Sequence, residues 1–149
     1  MRHYIFLSLF VCAVSLAVAC GSSSTAPTSS PDSGITSLQT TDVTVGTGTQ
    51  ASIGRQLTVN YTGWVYSVTA PDHHGVQFDS SLSAGRSPFV FTLGVGQVIA
   101  GRDQGMNGMR VGGRRTLVIP PSLGYGNQSV GSIPPNSTLI FDVELLDVR

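Results

Sequence analysis

No lysine occurs in the 149 residues, so all eight basic side chains are arginine, and eight acidic ones balance them to zero formal charge. A chain with no polybasic run lacks the electrostatic footprint of a nucleic-acid binder or of a domain held to anionic lipid by charge. Cysteine is as scarce. Cys12 lies in the apolar leader, which leaves Cys20 as the sole thiol of the mature chain and no internal disulfide to hold the fold. The only histidines beyond the leader, His73 and His74, are adjacent. Neighbouring side chains make a poor metal site without further ligands, and no Ser-His-Asp or Cys-His set can be assembled. Gly46-Thr47-Gly48 lacks the third glycine and the following helix of a dinucleotide fingerprint, and no P-loop is present. Nucleophilic, metal and nucleotide chemistries are therefore disfavoured, and no cofactor or metal is expected.

The front of the chain is what is rich in apolar residues. Arg2, an apolar run from Tyr4 to Ala19 and small residues before Cys20 form a secretory signal, too short for a transmembrane helix. Leu16-Ala17-Val18-Ala19-Cys20 resembles a bacterial lipobox, in which Cys20 is acylated, although Ala17 stands where that pattern prefers leucine. Ala17-Val18-Ala19 also satisfies ordinary signal cleavage. The uncharged Gly/Ser/Thr/Pro-rich stretch from Gly21 to Pro31 cannot bury a core and reads as a flexible tether, which favours the anchored form. The expected organisation is a signal over 1–19, a tether over 20–33 and a folded domain over 34–149. Lipid attachment at Cys20 would place the domain on a bacterial membrane, facing the periplasm or the cell exterior. By resemblance to Gram-negative sorting rules, Gly21 rather than Asp after Cys20 leans toward the outer membrane. The tether leads straight into the domain, so a monomer is expected.

Within the domain, apolar and polar residues alternate at Val43 and Val45, at Leu57, Val59 and Tyr61, at Phe89, Phe91 and Leu93, and at Leu139, Phe141, Val143 and Leu145. The first is a lead-in to the domain that ends at a turn at Thr47-Gly48, and the other three read as half-buried strands. Arg115 to Ile119 is a further β-rich run, stopped by Pro120-Pro121. Only Gln97 to Met109 has helical spacing, through Val98, Arg102, Met106 and Met109, and its glycines make it weak alone. The fold class predicted is α+β, an antiparallel sheet wrapped around one short helix.

Several blocks follow one another in a telling order: Tyr61-Thr62-Gly63-Trp64, Phe78-Asp79-Ser80-Ser81, Pro88-Phe89, Gly94-Val95-Gly96-Gln97-Val98-Ile99, Ile119-Pro120, Tyr125-Gly126, Ile133-Pro134-Pro135-Asn136 and Phe141-Asp142-Val143-Glu144-Leu145. Together, over residues 34 to 149, they resemble an FKBP-type peptidyl-prolyl cis-trans isomerase. That resemblance implies an FKBP-like sheet and helix, action on Xaa-Pro bonds of exported proteins, and neither cofactor nor metal. It also implies a pocket lined by Tyr61, Phe78, Phe89, Val98, Ile99, Tyr125, Ile133 and Phe141. Phe78, Phe89 and Phe141 would grip the proline ring. Tyr125 would donate its hydroxyl to a substrate carbonyl, and the Ile99 N–H would hold the carbonyl beyond the proline. Asp79 would lie near the twisting amide, bonded to Tyr61. Taken singly, each residue has a plainer reading: Phe89, Phe141 and Tyr61 as core, Asp79 as a turn former, Tyr125 as a loop aromatic. Their joint order carries the functional one.

Three departures stand out. Arg102 occupies the position where the family usually has the tryptophan of the pocket floor. An arginine there can lay its stem along the floor, stack on an aromatic face or pair with Asp79. The expectation is weaker catalysis and reduced affinity for macrolides. It keeps alive an alternative, a proline-segment binding or chaperone module with little catalysis. The Ser67–Val76 segment is longer than in small family members and is expected as a solvated loop. The Gly126–Ser132 loop is about one residue shorter, so the resemblance implies nothing about the preferred residue before proline.

Overall fold

The computed structural model describes residues 33–149. The expected signal, Cys20 and the tether up to residue 32 lie outside the described residues. The elements in chain order are β1 (Gln39–Thr44), β2 (Gln56–Tyr66), β3 (His74–Ser80), β4 (Phe89–Thr92), α1 (Ala100–Met106), β5 (Arg114–Ile119) and β6 (Leu139–Val148). All strand pairs are antiparallel. The strands form one six-stranded sheet in the order β1-β5-β6-β2-β3, with β4 also paired to β2. An α+β fold with one short helix is the architecture that the hydrophobic alternation predicts.

The alternation works through register. Val59 faces Leu145, Tyr61 faces Val143 and Gly63 faces Phe141 across β2 and β6, so the apolar sets of both strands fall on the same face. Gly63 has a specific task there. A Cβ at that position would come within 2.6 Å of Phe141 Cε1 and 2.8 Å of Phe78 Cζ, so glycine is what lets two aromatic rings meet over β2.

Helix α1 is shorter than its spacing predicts. Ile99 is extended (φ −57°, ψ 146°) and Asn107 leaves the helical region (ψ 136°), so Val98 and Ile99 precede the helix and Met109 follows it. Before it, Gly94 and Gly96 take φ of 80° and 75°, a turn only glycine adopts without strain. The Asp103 carboxylate ties that turn to α1, accepting from both glycine N–H groups at 3.0 Å. Gly101 and Gly105 face β5, where a Cβ on Gly105 would come within 2.7 Å of Leu117 Cδ2 and one on Gly101 would meet Ile119 closer still. The glycines that weaken the helix in isolation allow it to lie close on the sheet.

The lead-in alternation marks no buried face: Val43, on the edge strand β1, and Val45, just beyond its end, are 64% and 72% exposed. One expectation is corrected. The Ser67–Val76 segment is not a free loop. Pro71–His73 forms a 3₁₀ turn, and His74 to Val76 belong to β3. His74 stacks flat on Trp64 (centroids 3.9 Å, 8°) and His73 on Tyr66 (4.7 Å, 16°). Among the described residues, no three His, Cys, Asp or Glu side chains form a group able to hold a metal, and no helix is long and apolar enough to cross a membrane.

Candidate active site

A cavity of about 420 Å³ opens where the inner face of the sheet meets the start of α1. Strand β2 contributes Tyr61, β3 contributes Phe78 and Asp79, β4 contributes Phe89 and β6 contributes Phe141. The turn before α1 adds Gln97, Val98 and Ile99, the helix adds Arg102, and the loop after β5 adds Tyr125. The aromatic rings brace one another: Phe78 meets Phe141 edge-on at 5.5 Å, and Tyr61 meets Phe89 edge-on at 5.9 Å. Such contacts add about 0.5–1.5 kcal/mol per pair beyond burial and fix the cup's shape.

Of the residues expected in this wall, only Ile133 is elsewhere. It is 4% exposed and belongs to the hydrophobic core. Its backbone exchanges two hydrogen bonds with Val130, which shapes the loop end rather than the cavity lining. The sequence pattern marked the right segment, but the strand-like Val130–Ile133 bridge turns that side chain inward.

The polar side of the cup is a connected network. Tyr61 Oη donates to Asp79 Oδ2 at 2.5 Å, and the Ser80 N–H donates to Oδ1 at 2.9 Å. Arg86 forms an ion pair with the same Oδ1. Burial pushes the Asp79 carboxyl up, but the bonds from Tyr61, Arg86 and Ser80 outweigh it and hold the group below the ordinary carboxylate range. Burial first, and then the bond to Asp79, push the Tyr61 hydroxyl up, so it remains a donor. Arg86 and Gln97 were not foreseen. Arg86 is the only charge in the stretch from Ser80 to Gly101, which is the one hint the sequence offers.

Arg102 sits on the floor and is only 7% exposed. Of the three dispositions open to it, stacking prevails. Its Cζ lies 4.2 Å from the Tyr61 ring centroid, with Phe141 at 5.2 Å, Phe89 at 5.5 Å and Phe91 at 5.9 Å. It does not pair with Asp79, whose oxygens are engaged by Tyr61, Arg86 and Ser80. Its Nε and Nη2 are buried with no hydrogen-bond partner. Burial pushes its pKa down from the ordinary guanidinium value.

The lining holds no Ser, Cys or His, hence no nucleophile–base pair. It offers an aromatic cup, two hydroxyls and a carboxylate already satisfied, suited to holding and reshaping a ligand rather than cleaving one. A second hollow of about 430 Å³ lies between Ile53, Gly94 and the outer side of α1, lined also by Ala100, Asp103, Gln104 and Asn107; it has no aromatic side chain.

Residues 47–146 match the family model described as FKBP-type peptidyl-prolyl cis-trans isomerase. The chain is 50% identical over 113 residues to the FK506-binding protein of Neisseria meningitidis serogroup A, covering 75% of this chain and 96% of that one. FK506-binding protein 1 of Aspergillus oryzae is 45% identical over 109 residues, covering 72% and 94%. Among solved structures, FkpA from Escherichia coli superposes with a TM-score of 0.64 at 41% identity, over 75% of this chain and 48% of its own length. The chain thus spans about half of FkpA.

Proposed function

The chain belongs to the FKBP-type peptidyl-prolyl cis-trans isomerase family, and we propose that its cavity accelerates rotation about Xaa-Pro bonds in exported polypeptides. The barrier to that rotation, about 18–20 kcal/mol, comes from amide resonance, and an unaided Xaa-Pro bond needs tens to hundreds of seconds. The planar amide is more polar and better hydrated than the twisted one. A water-poor aromatic cup therefore favours the twisted state, and no bond need be made or broken. In this reading Phe78, Phe89 and Phe141 hold the proline ring. Tyr125 Oη and the Ile99 N–H donate to the flanking carbonyls, a preorganised electrostatic contribution. Asp79, fixed by Tyr61 and Arg86, sits beside the twisting amide. Val98 completes the wall, and Ile133 supports it from the core.

The observation that carries this proposal is convergence: residues from four strands, one helix and three loops meet around a single cavity of about 420 Å³. The test is cis/trans exchange of an Ala-Leu-Pro-Phe-type peptide, followed by NMR with the full chain in catalytic amounts. Faster exchange is expected, and a macrolide of the FK506 class should abolish it. A folded protein that binds the peptide without speeding exchange would instead support a proline-segment binding module. The observation favouring that second reading is the cation on the floor. With a guanidinium in place of an indole, macrolide affinity is expected to be lower than in Arg102→Trp.

The lipid anchor rests on the leader alone. We place acylation at Cys20 and the domain outside the cytoplasm, with the outer membrane favoured. In the producing bacterium, Cys20→Ala should move the protein from the detergent-extractable pellet to the soluble fraction; no change would leave ordinary signal cleavage.

A further inference from the structure

Arg102 is the one charged lining residue to which the mechanism above gives no task. Among the charged side chains of the cavity, Arg86 and Arg102 carry two positive charges and Asp79 one negative, which leaves one positive charge in excess. Arg86 is the arginine paired with the carboxylate. The excess charge therefore belongs to Arg102, more than nine-tenths buried in the floor of the cup. The ring faces around it stabilise a cation. They supply no acceptor for Nε–H and Nη2–H, which are buried and unpartnered. Holding a cation among rings without a counter-ion is costly, and a ligand that brings a negative charge into the cavity offsets part of that cost through space. A cationic floor also suits a proline ring less well than an aromatic one does, because the ring's C–H bonds are electron-poor.

We propose, building on the isomerase reading, that Arg102 makes this pocket select prolines preceded by an acidic residue. The bond that rotates joins that residue to the proline, so its side chain travels over the same cavity as the ring. The remaining polar lining side chains, Gln97, Tyr61 and Tyr125, are neutral and do not oppose a carboxylate. At a separation of about 7 Å and an effective dielectric of about 40, the attraction corresponds to roughly a five- to tenfold preference.

The experiment compares Ala-Glu-Pro-Phe with its neutral isostere Ala-Gln-Pro-Phe on the full chain. Both exchange efficiency (kcat/KM) and Kd are measured, at low and at high salt. The expected result is a preference for Glu of about fivefold that shrinks as salt rises and falls to about one in Arg102→Met, which keeps the apolar stem, and in Arg102→Trp, which restores an aromatic floor. Equal treatment of the two peptides by the wild-type protein overturns the proposal, as does a Glu preference that persists in either variant. If neither variant folds, the wild-type ratio and its salt dependence decide. If neither peptide exchanges faster, the isomerase reading fails, while the ratio of Kd values still tests Arg102.

Discussion

In the core, Leu57, Leu117 and the helix's own Met106 are sealed to 0% exposure. Farther along the same inner face, Phe78, Phe89, Val98, Ile99 and Tyr125 remain half-exposed around the cavity. The first region is aliphatic and filled. The second is aromatic, charged at three points and empty. Arg102 and Met106 mark the boundary, since they lie one turn apart on α1 and both are buried. At Met106 the helix closes on the sheet. At Arg102 it must hold a cation among rings, and the packing stops there. The difference teaches where stability and function separate: the filled end sets the fold, and the unfilled end keeps space for a ligand.

The largest effect should come from opening the filled end. Leu117→Ala removes a fully buried side chain from under α1 and is expected to cost about 2–5 kcal/mol, read by urea unfolding. Phe89→Ala widens a cavity that already exists beside a half-exposed ring. It should cost less stability than Leu117→Ala while slowing peptide exchange more. Equal stability losses would break the comparison, because the two ends would then be one core.

A middle effect tests the charges at the open end. Because the Asp79 carboxyl is held below its ordinary value when folded, its stabilisation is complete above the unfolded value of about 3.9 and is lost as pH falls through the lower folded value. Its side chain is partly exposed, so the contribution is at most about 1 kcal/mol. Asp79→Asn should flatten the fall in unfolding free energy between pH 5 and pH 2, read by urea titration, by about that amount. Asp42, lowered by its bond to Arg115 at the edge strand, retains its own share of the acid sensitivity. If Asp79→Asn left the acid limb unchanged, the network at the mouth would carry no stability.

How much of this was legible in the residues follows the same boundary. β2, β4 and β6 bury one face, so their alternation was plain, and the cup's aromatics were readable from their order. The helix ends were not, because positive φ at Gly94 and Gly96 and the extended Ile99 are set by the Asp103 tie rather than by periodicity. β3 carries no clean alternation: it crosses two irregularities in its pairing with β2, and Val76 is 65% exposed. Val43 and Val45 alternate as a half-buried strand would, but no residue of β1 is buried and Val45 lies beyond its end. Arg86 reaches Asp79 from an irregular loop, where no spacing rule applies.

The smallest effect lies on the opposite face of the sheet and asks whether the comparison ends at the sheet itself. Trp64, the only tryptophan, points outward and is capped by His74, whose Nε2 lies 3.7 Å from Asp142 Oδ2. Asp142 in turn accepts from Thr116 Oγ1 at 2.7 Å. His74→Ala removes a half-exposed stack worth about 0.5–1 kcal/mol and should shift Trp64 fluorescence toward that of a more solvated indole. Peptide exchange should not change, because no residue of this outer cluster lines the aromatic cavity. Slower exchange would mean that the outer stack acts through β2, where Gly63, next to Trp64, sits opposite Phe141. The boundary between stability and function would then run across the sheet as well as along its inner face.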